Sequence, residues 1–231
     1  MRPLRAGNTS TSKNIKTKRR LLAFTLVTLL SATSLEALPA QAAQPTAVSA
    51  LSKLTVKGRA PKTGYARSKF SDGWGDIGSC DARNYILKRD LRNITVDSDG
   101  CTVRSGTLYD KYTGKVIQFK RGVGTSLAVQ IDHVVAVSDA WQKGAQKLSS
   151  GERYAFYNDP LNLIAIDGPT NGQKSDSDAA SWLPPNKRYR CKYVARQIAV
   201  KRKYHLWVTS AEKSAMSQVL RACPSQKIPK G

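Results

Sequence analysis

The sequence predicts an α+β domain, and three stretches carry that reading. Residues 127–137 are rich in β-branched side chains, residues 161–166 repeat that composition after a polar interval, and residues 169–180 are polar with Pro169 near their start, where a helix tolerates proline. The expected order is strand, insertion, strand, helix. Residues 138–147 and 150–157 read as two short helices within the insertion.

Residues 80–91 ahead of this core read as a short helix, with Ile86, Leu87 and Leu91 at helical spacing and Ser79 or Asp81 as its cap. Residues 102–109 and 115–120 read as strands joined by a turn at Tyr112-Thr113-Gly114. Beyond the core, Pro184-Pro185 opens a long helix to about Tyr204, with Cys191, Val194 and Ile198 on one face. Thr209-Ser210-Ala211-Glu212 has the spacing of a capping box and starts a last helix to Ala222. Residues 43–65 lack periodicity and read as a flexible leader, which leaves residues 66–231 for the domain.

The N-terminus is basic up to Lys18-Arg19-Arg20, then apolar from Leu21 to Leu30, then reads Leu38-Pro39-Ala40-Gln41-Ala42. That is the order of a secretory signal cut after Ala42, and the apolar run is shorter than the roughly 20 residues that span a bilayer. No stable membrane insertion is expected after cleavage. The chain carries a net charge of +22, and removal of residues 1–42, with seven of the 38 basic and one of the 16 acidic residues, leaves about +16. Such a field attracts polyanions. Nucleic acid is the foremost candidate, with anionic cell-wall polymers and phospholipid satisfying the same electrostatics, and no protein partner is implied.

Four cysteines, Cys80, Cys101, Cys191 and Cys223, fall after the signal. An even count in an exported chain points to disulfides, of which three pairings exist; Cys80 with Cys101 and Cys191 with Cys223 are favoured because each closes a short segment and staples a helix to the stretch of chain after it. The absence of a C-x-x-C spacing argues against zinc.

One of only two histidines, His133, directly follows Asp132 at the end of the apolar run Leu127, Val129, Ile131, with Asn162 and Asn171 downstream. An imidazole is the side chain that takes a proton near neutral pH, and an aspartate with an asparagine offers oxygen ligands to one hard divalent cation. Adjacent strand residues point to opposite faces, so the strand is expected to end or bend at Asp132. Lys174, one turn after Asn171, is expected to contact a phosphate. The other histidine, His205, reads as a helix-end residue that caps or packs. Between Lys187 and Lys203 lie eight basic residues and no acid, and Arg188, Lys192 and Arg196 recur every four positions as a candidate phosphate-tracking stripe.

These motifs resemble the HNH, or ββα-metal, endonucleases, in the variant whose last histidine is an asparagine, and within them the secreted bacterial proteins of the GmrSD C-terminal (DUF1524-like) type. The carriers are Gln130-Ile131-Asp132-His133-Val134-Val135, Ser138-Asp139-Ala140-Trp141, Asn158-Asp159-Pro160-Leu161-Asn162-Leu163 and Trp182-Leu183-Pro184-Pro185, within a similarity running from about Phe70 to Cys223. The resemblance implies a ββα-metal core at about 125–182, an N-terminal helix and hairpin before it, and basic C-terminal helices at 184–223. It implies a secreted endonuclease of low sequence specificity, with DNA the favoured substrate and RNA possible, leaving 5′-phosphate and 3′-hydroxyl ends. It makes His133 the general base, Asp132 and Asn171 the ligands of one Mg²⁺ (Mn²⁺ or Ca²⁺ as alternatives), Asn162 the residue that orients the His133 loop, and Arg83 a further phosphate clamp. An imidazole base implies activity that falls below about pH 6.5. The alternative is a non-catalytic polyanion-binding protein that keeps the fold.

Overall fold

A computed structural model describes residues 44–230. The signal assigned to residues 1–42 lies outside them. In chain order the elements are α1 (Ala47–Ser52), β1 (Asp76–Ile77), β2 (Cys80–Asp81), α2 (Ala82–Asp90), β3 (Leu91–Val96), β4 (Val103–Tyr109), β5 (Val116–Lys120), β6 (Val129–His133), α3 (Val137–Gln142), α4 (Ser150–Asn158), β7 (Leu163–Asp167), α5 (Gly168–Lys174), α6 (Arg190–Lys203) and α7 (Ser210–Leu220). The strands form three small antiparallel sheets, β1–β2, β3–β4–β5 and β6–β7.

The β6–β7 ribbon organises the rest because both of its faces are covered. Val129, Ile131, Leu163 and Ala165 pack with α2 and the three-stranded sheet, while Ile164 and Ile166 pack into the larger core that includes α3, α4, α6 and α7. Strand alternation therefore sends successive side chains into different cores. α5 follows β7 directly and lies against both strands.

Local signals place the helix starts. Asp81 caps α2 by accepting from Asn84 N at 2.9 Å, Ser149 and Glu152 form a reciprocal capping box at α4, and Asp167 caps α5 through Thr170 N. The β4–β5 turn is held by Asp110, which accepts from Thr113 N at 2.7 Å, with Gly114 at φ 79°. Cys80 pairs with Cys101 and Cys191 with Cys223, at Cα–Cα distances of 5.3 and 6.4 Å. The first staples the start of α2 to the β3–β4 connection and the second ties α6 to the end of α7, each contributing about 3 kcal/mol.

Several expectations are corrected. The segment read as a flexible leader contains α1, whose Ala47, Ala50 and Leu51, with Leu54 after it, are buried at helical spacing against α6 and α7. The helix expected to end at Leu91 stops at Asp90, and Leu91 joins residues 92–96, unassigned from the sequence, in β3, which pairs with β4 despite a register shift and Asn93 at φ 50°. The helix expected to reach Ala180 stops at Lys174, where Ser175 turns to φ 48°. The helix expected from Pro185 starts at Arg190, because Asn186 N–H is bonded to Tyr112 O and its side chain to Lys111 O. Glu212 does not close a capping box with Thr209; its carboxylate is buried against Lys143 and Lys201. His205 is exposed at φ 52°, and the cap is made by backbone, with Leu206 N–H reaching Lys201 O at 2.9 Å.

Candidate active site

The cleft at the end of β6 measures about 280 Å³ and is lined by Tyr65, Arg67, Asp132, His133, Ser138 and Asn171 among others. β6 does not bend at Asp132; it stays in register through Asp132–Ile164 and His133–Leu163 and ends there. The two side chains leave on opposite faces, and the end of the strand lets both border one opening.

His133 is 4 % exposed and tightly held. Trp74 stacks on its ring at 5.7 Å and 11°, and the Tyr157 ring lies 4.5 Å away. Nε2 sits 2.8 Å from Tyr157 O. A carbonyl only accepts, so Nε2 carries the proton and Nδ1 is left as the basic lone pair. Burial and the Arg67 guanidinium push the imidazole pKa down to about 3, with the Tyr157 bond opposing. The ring is thus neutral far below the pH 6.5 expected from the sequence.

That displacement has a measurable consequence for stability. The native ring stays unprotonated where the unfolded ring binds a proton, so stability falls as pH drops from about 6.5 towards 3. At pH 4.5 the loss assigned to this residue is about 2–3 kcal/mol. Denaturant unfolding of the protein and of His133→Gln at pH 7 and 4.5 should show a larger acid loss in the former. Equal losses would reject the assignment.

Asp132, also 4 % exposed, accepts from Lys174 Nζ at 2.8 Å on Oδ1 and from Tyr112 Oη at 2.7 Å on Oδ2. Burial raises its pKa, and Lys174 and Tyr112 pull it back. Tyr112, wholly buried, has its phenol pushed well up by burial and by Asp132, so it remains a donor. Asn171 Nδ2 donates to Gln130 Oε1 at 2.9 Å. Gln130 and Asp132 share a strand face, so α5 sets Asn171 over one and Lys174 over the other. No described residue donates to Asn171 Oδ1, and Asn171 lines the cleft. Asn162, fully buried, accepts from Val135 N at 2.9 Å and donates to Val135 O at 3.3 Å, while Val134 N reaches Asn162 O at 2.8 Å. It clamps the chain just beyond His133.

Three residues expected to meet phosphates are engaged elsewhere. Lys174 is 0 % exposed, and its ammonium also donates to His133 O at 2.9 Å. Arg83 is partly buried, reaching Val129 O at 3.2 Å and Ser126 O at 3.4 Å, where it fixes the entry to β6. Arg196 donates to Leu161 O at 2.6 Å and to Pro160 O and Leu163 O at 2.8 Å, bracing the loop around Asn162. In each case backbone carbonyls or a buried acid take the charge that the sequence offers to solvent. Arg188 and Lys192 are exposed but do not line the cleft.

Sequence reasoning missed Tyr112, Tyr157, Trp74 and Arg67. Trp74, set between two glycines in a polar segment, was the one visible signal. Gly75 has no room for a side chain, since a Cβ there would meet Tyr154 and Asn158, and this close approach seats Trp74.

The C-terminal domain of the GmrSD restriction endonucleases matches residues 81–219, a span that holds Asp132, His133, Asn162 and Asn171. The chain belongs to that family. It is also similar to an uncharacterized secreted protein of Arthroderma benhamiae, 38 % identical over 209 residues that cover 87 % of this chain and 99 % of the relative. No solved structure matches. Family membership indicates a nuclease-type domain, and the described residues contain no helix long and apolar enough to cross a membrane.

Proposed function

We propose that this GmrSD-type domain is an exported, metal-dependent endonuclease that hydrolyses phosphodiester bonds, with DNA favoured over RNA. The observation that carries the reading is His133: a buried imidazole with Nε2 tied to a carbonyl, which leaves Nδ1 without a proton, in a cleft shared with Asp132 and Asn171. Nδ1 takes the proton of a water as that water's oxygen bonds to phosphorus and the bond to the 3′ oxygen breaks, the departing oxygen taking a proton from solvent, and the Tyr157 bond keeps the tautomer in which Nδ1 is free to do this. Trp74 and Tyr157 exclude bulk water from the ring, and Asn162 keeps His133 at the strand end.

The donor set fits a hard divalent ion. Among the described residues no group of three or more His, Cys, Asp or Glu is arranged for a metal, so an ion in this cleft would have few protein ligands. One carboxylate and one free amide oxygen suit an ion that keeps several waters, with Mg²⁺ foremost and Mn²⁺ or Ca²⁺ as alternatives. Each Asp132 oxygen retains a lone pair beyond its single hydrogen bond. When bound, the ion would be held by Asp132 and Asn171 and would supply positive charge to the phosphoryl oxygens. Export is supported by the secretory pattern of residues 1–42, the two disulfides and the relative's description as secreted.

Lys174 favours one second reading, a polyanion-binding protein without catalysis, because its ammonium already neutralises Asp132. Supercoiled plasmid and RNA, each incubated with the purified protein in Mg²⁺ and in EDTA, separate the two. Relaxed and linear plasmid in Mg²⁺ only is the expected result. Salt-sensitive binding without nicking in any divalent cation would overturn the first reading and support the second.

A further inference from the structure

We propose that the segment before the family domain, residues 59–75, adds a phosphate-binding subsite to the cleft, with Arg67 as the residue that grips the substrate backbone. The inference rests on the nuclease reading and extends it to residues outside the 81–219 match. Tyr65 and Arg67 border the same opening as His133 and Asn171, and Trp74 covers the His133 ring.

Arg67 differs from Arg59 and Lys62, the cations of this segment that carry acid partners. Arg59 is paired with Asp139 and Asp178, and Lys62 with Asp176. No described carboxylate lies within 4 Å of the Arg67 guanidinium. Its support is neutral: Nε donates to Tyr157 Oη at 3.1 Å, and the guanidinium lies 5.1 Å from the centre of that ring. Tyr157 therefore holds two groups at once, His133 through its carbonyl and Arg67 through its hydroxyl and ring face.

With Nε committed, the two terminal nitrogens form a planar fork. That fork matches the paired non-bridging oxygens of a phosphodiester, which a lysine ammonium cannot grip in two places. A positive group fixed beside a neutral base attracts an anion, and the aromatic support positions it without cancelling its charge. A phosphodiester seated on Arg67 would lie at the opening onto which His133 faces.

The test uses Arg67→Ala and Arg67→Lys with a labelled 20-base-pair DNA duplex. Cleavage is followed in Mg²⁺, and affinity is followed in EDTA as a function of salt. Arg67→Ala should cut about 10²-fold more slowly. Its plot of log affinity against log salt should lose roughly one unit of slope, the signature of one missing phosphate contact. Arg67→Lys should recover the slope but only part of the rate. Thermal midpoints should stay at the wild-type value because the side chain is exposed, so a packing defect would be seen separately. Wild-type rate and wild-type salt slope in Arg67→Ala would overturn the subsite. If the wild type cuts nothing, the nuclease reading fails, and the salt slope in EDTA still decides whether Arg67 binds phosphate.

Discussion

Replacing His133 with alanine is expected to slow plasmid nicking by about 10²–10⁴-fold, the range that a positioned general base contributes. The loss should fall on the chemical step. Binding in EDTA should survive, because the ring is enclosed by Trp74 and Tyr157 and the candidate phosphate contacts lie elsewhere in the cleft. Single-turnover cleavage and binding isotherms of the two proteins, measured at one salt concentration, make the comparison. Retention of more than a tenth of the wild-type rate would remove His133 from the chemistry. Asn162→Ala should give a smaller defect in the same step, since the Val135 clamp beyond the strand end would go while the imidazole stayed.

The largest stability loss is expected away from the cleft. Lys143 is 0 % exposed, and its ammonium meets Asp139 Oδ1 at 2.8 Å, Asp178 Oδ2 at 2.6 Å and Glu212 Oε2 at 2.6 Å. Lys201, equally buried, adds contacts to Asp139 and Glu212, and Arg59 closes the group from outside. Three acids and three bases balance. Methionine at position 143 keeps much of the volume but leaves the buried acids one charge short. Breaking such a group from one side costs about 3–5 kcal/mol. For a domain of this size that lowers the thermal midpoint by roughly 10 °C. Calorimetry of Lys143→Met reads it directly, and a midpoint within 2 °C of wild type would show that the network adds little.

Legibility followed range along the chain. The helix cap at Asp81, the turn at Tyr112-Thr113-Gly114 and the two β-rich runs depend on neighbours a few residues away, so composition reveals them. Cysteine spacing was enough to favour the observed pairing. Partners distant in sequence were not legible. Lys174, Arg83 and Arg196 read as surface cations, because nothing local says that a carboxylate or a carbonyl waits 33 to 46 residues away. α1 was hidden for a related reason, since a six-residue segment is too short to establish a periodic signal until α6 and α7 cover its buried face. Asp132 and His133 were recognised as a pair, whereas Tyr112 and Tyr157, which hold them, lie in a turn and a helix with no distinguishing text.

The docking of residues 44–75 bears on how this protein should be produced in the laboratory. An expression fragment trimmed to the family boundary would retain every residue of the Asp-His-Asn-Asn set and still lose Trp74 from the imidazole face, Arg59 from two aspartates and α1 from its seat on α6 and α7. Such a fragment would be inactive or insoluble for reasons unrelated to chemistry. Cloning from Ala43 onward, into a host compartment that oxidises thiols, keeps the enclosing segment and both sulfur bridges together.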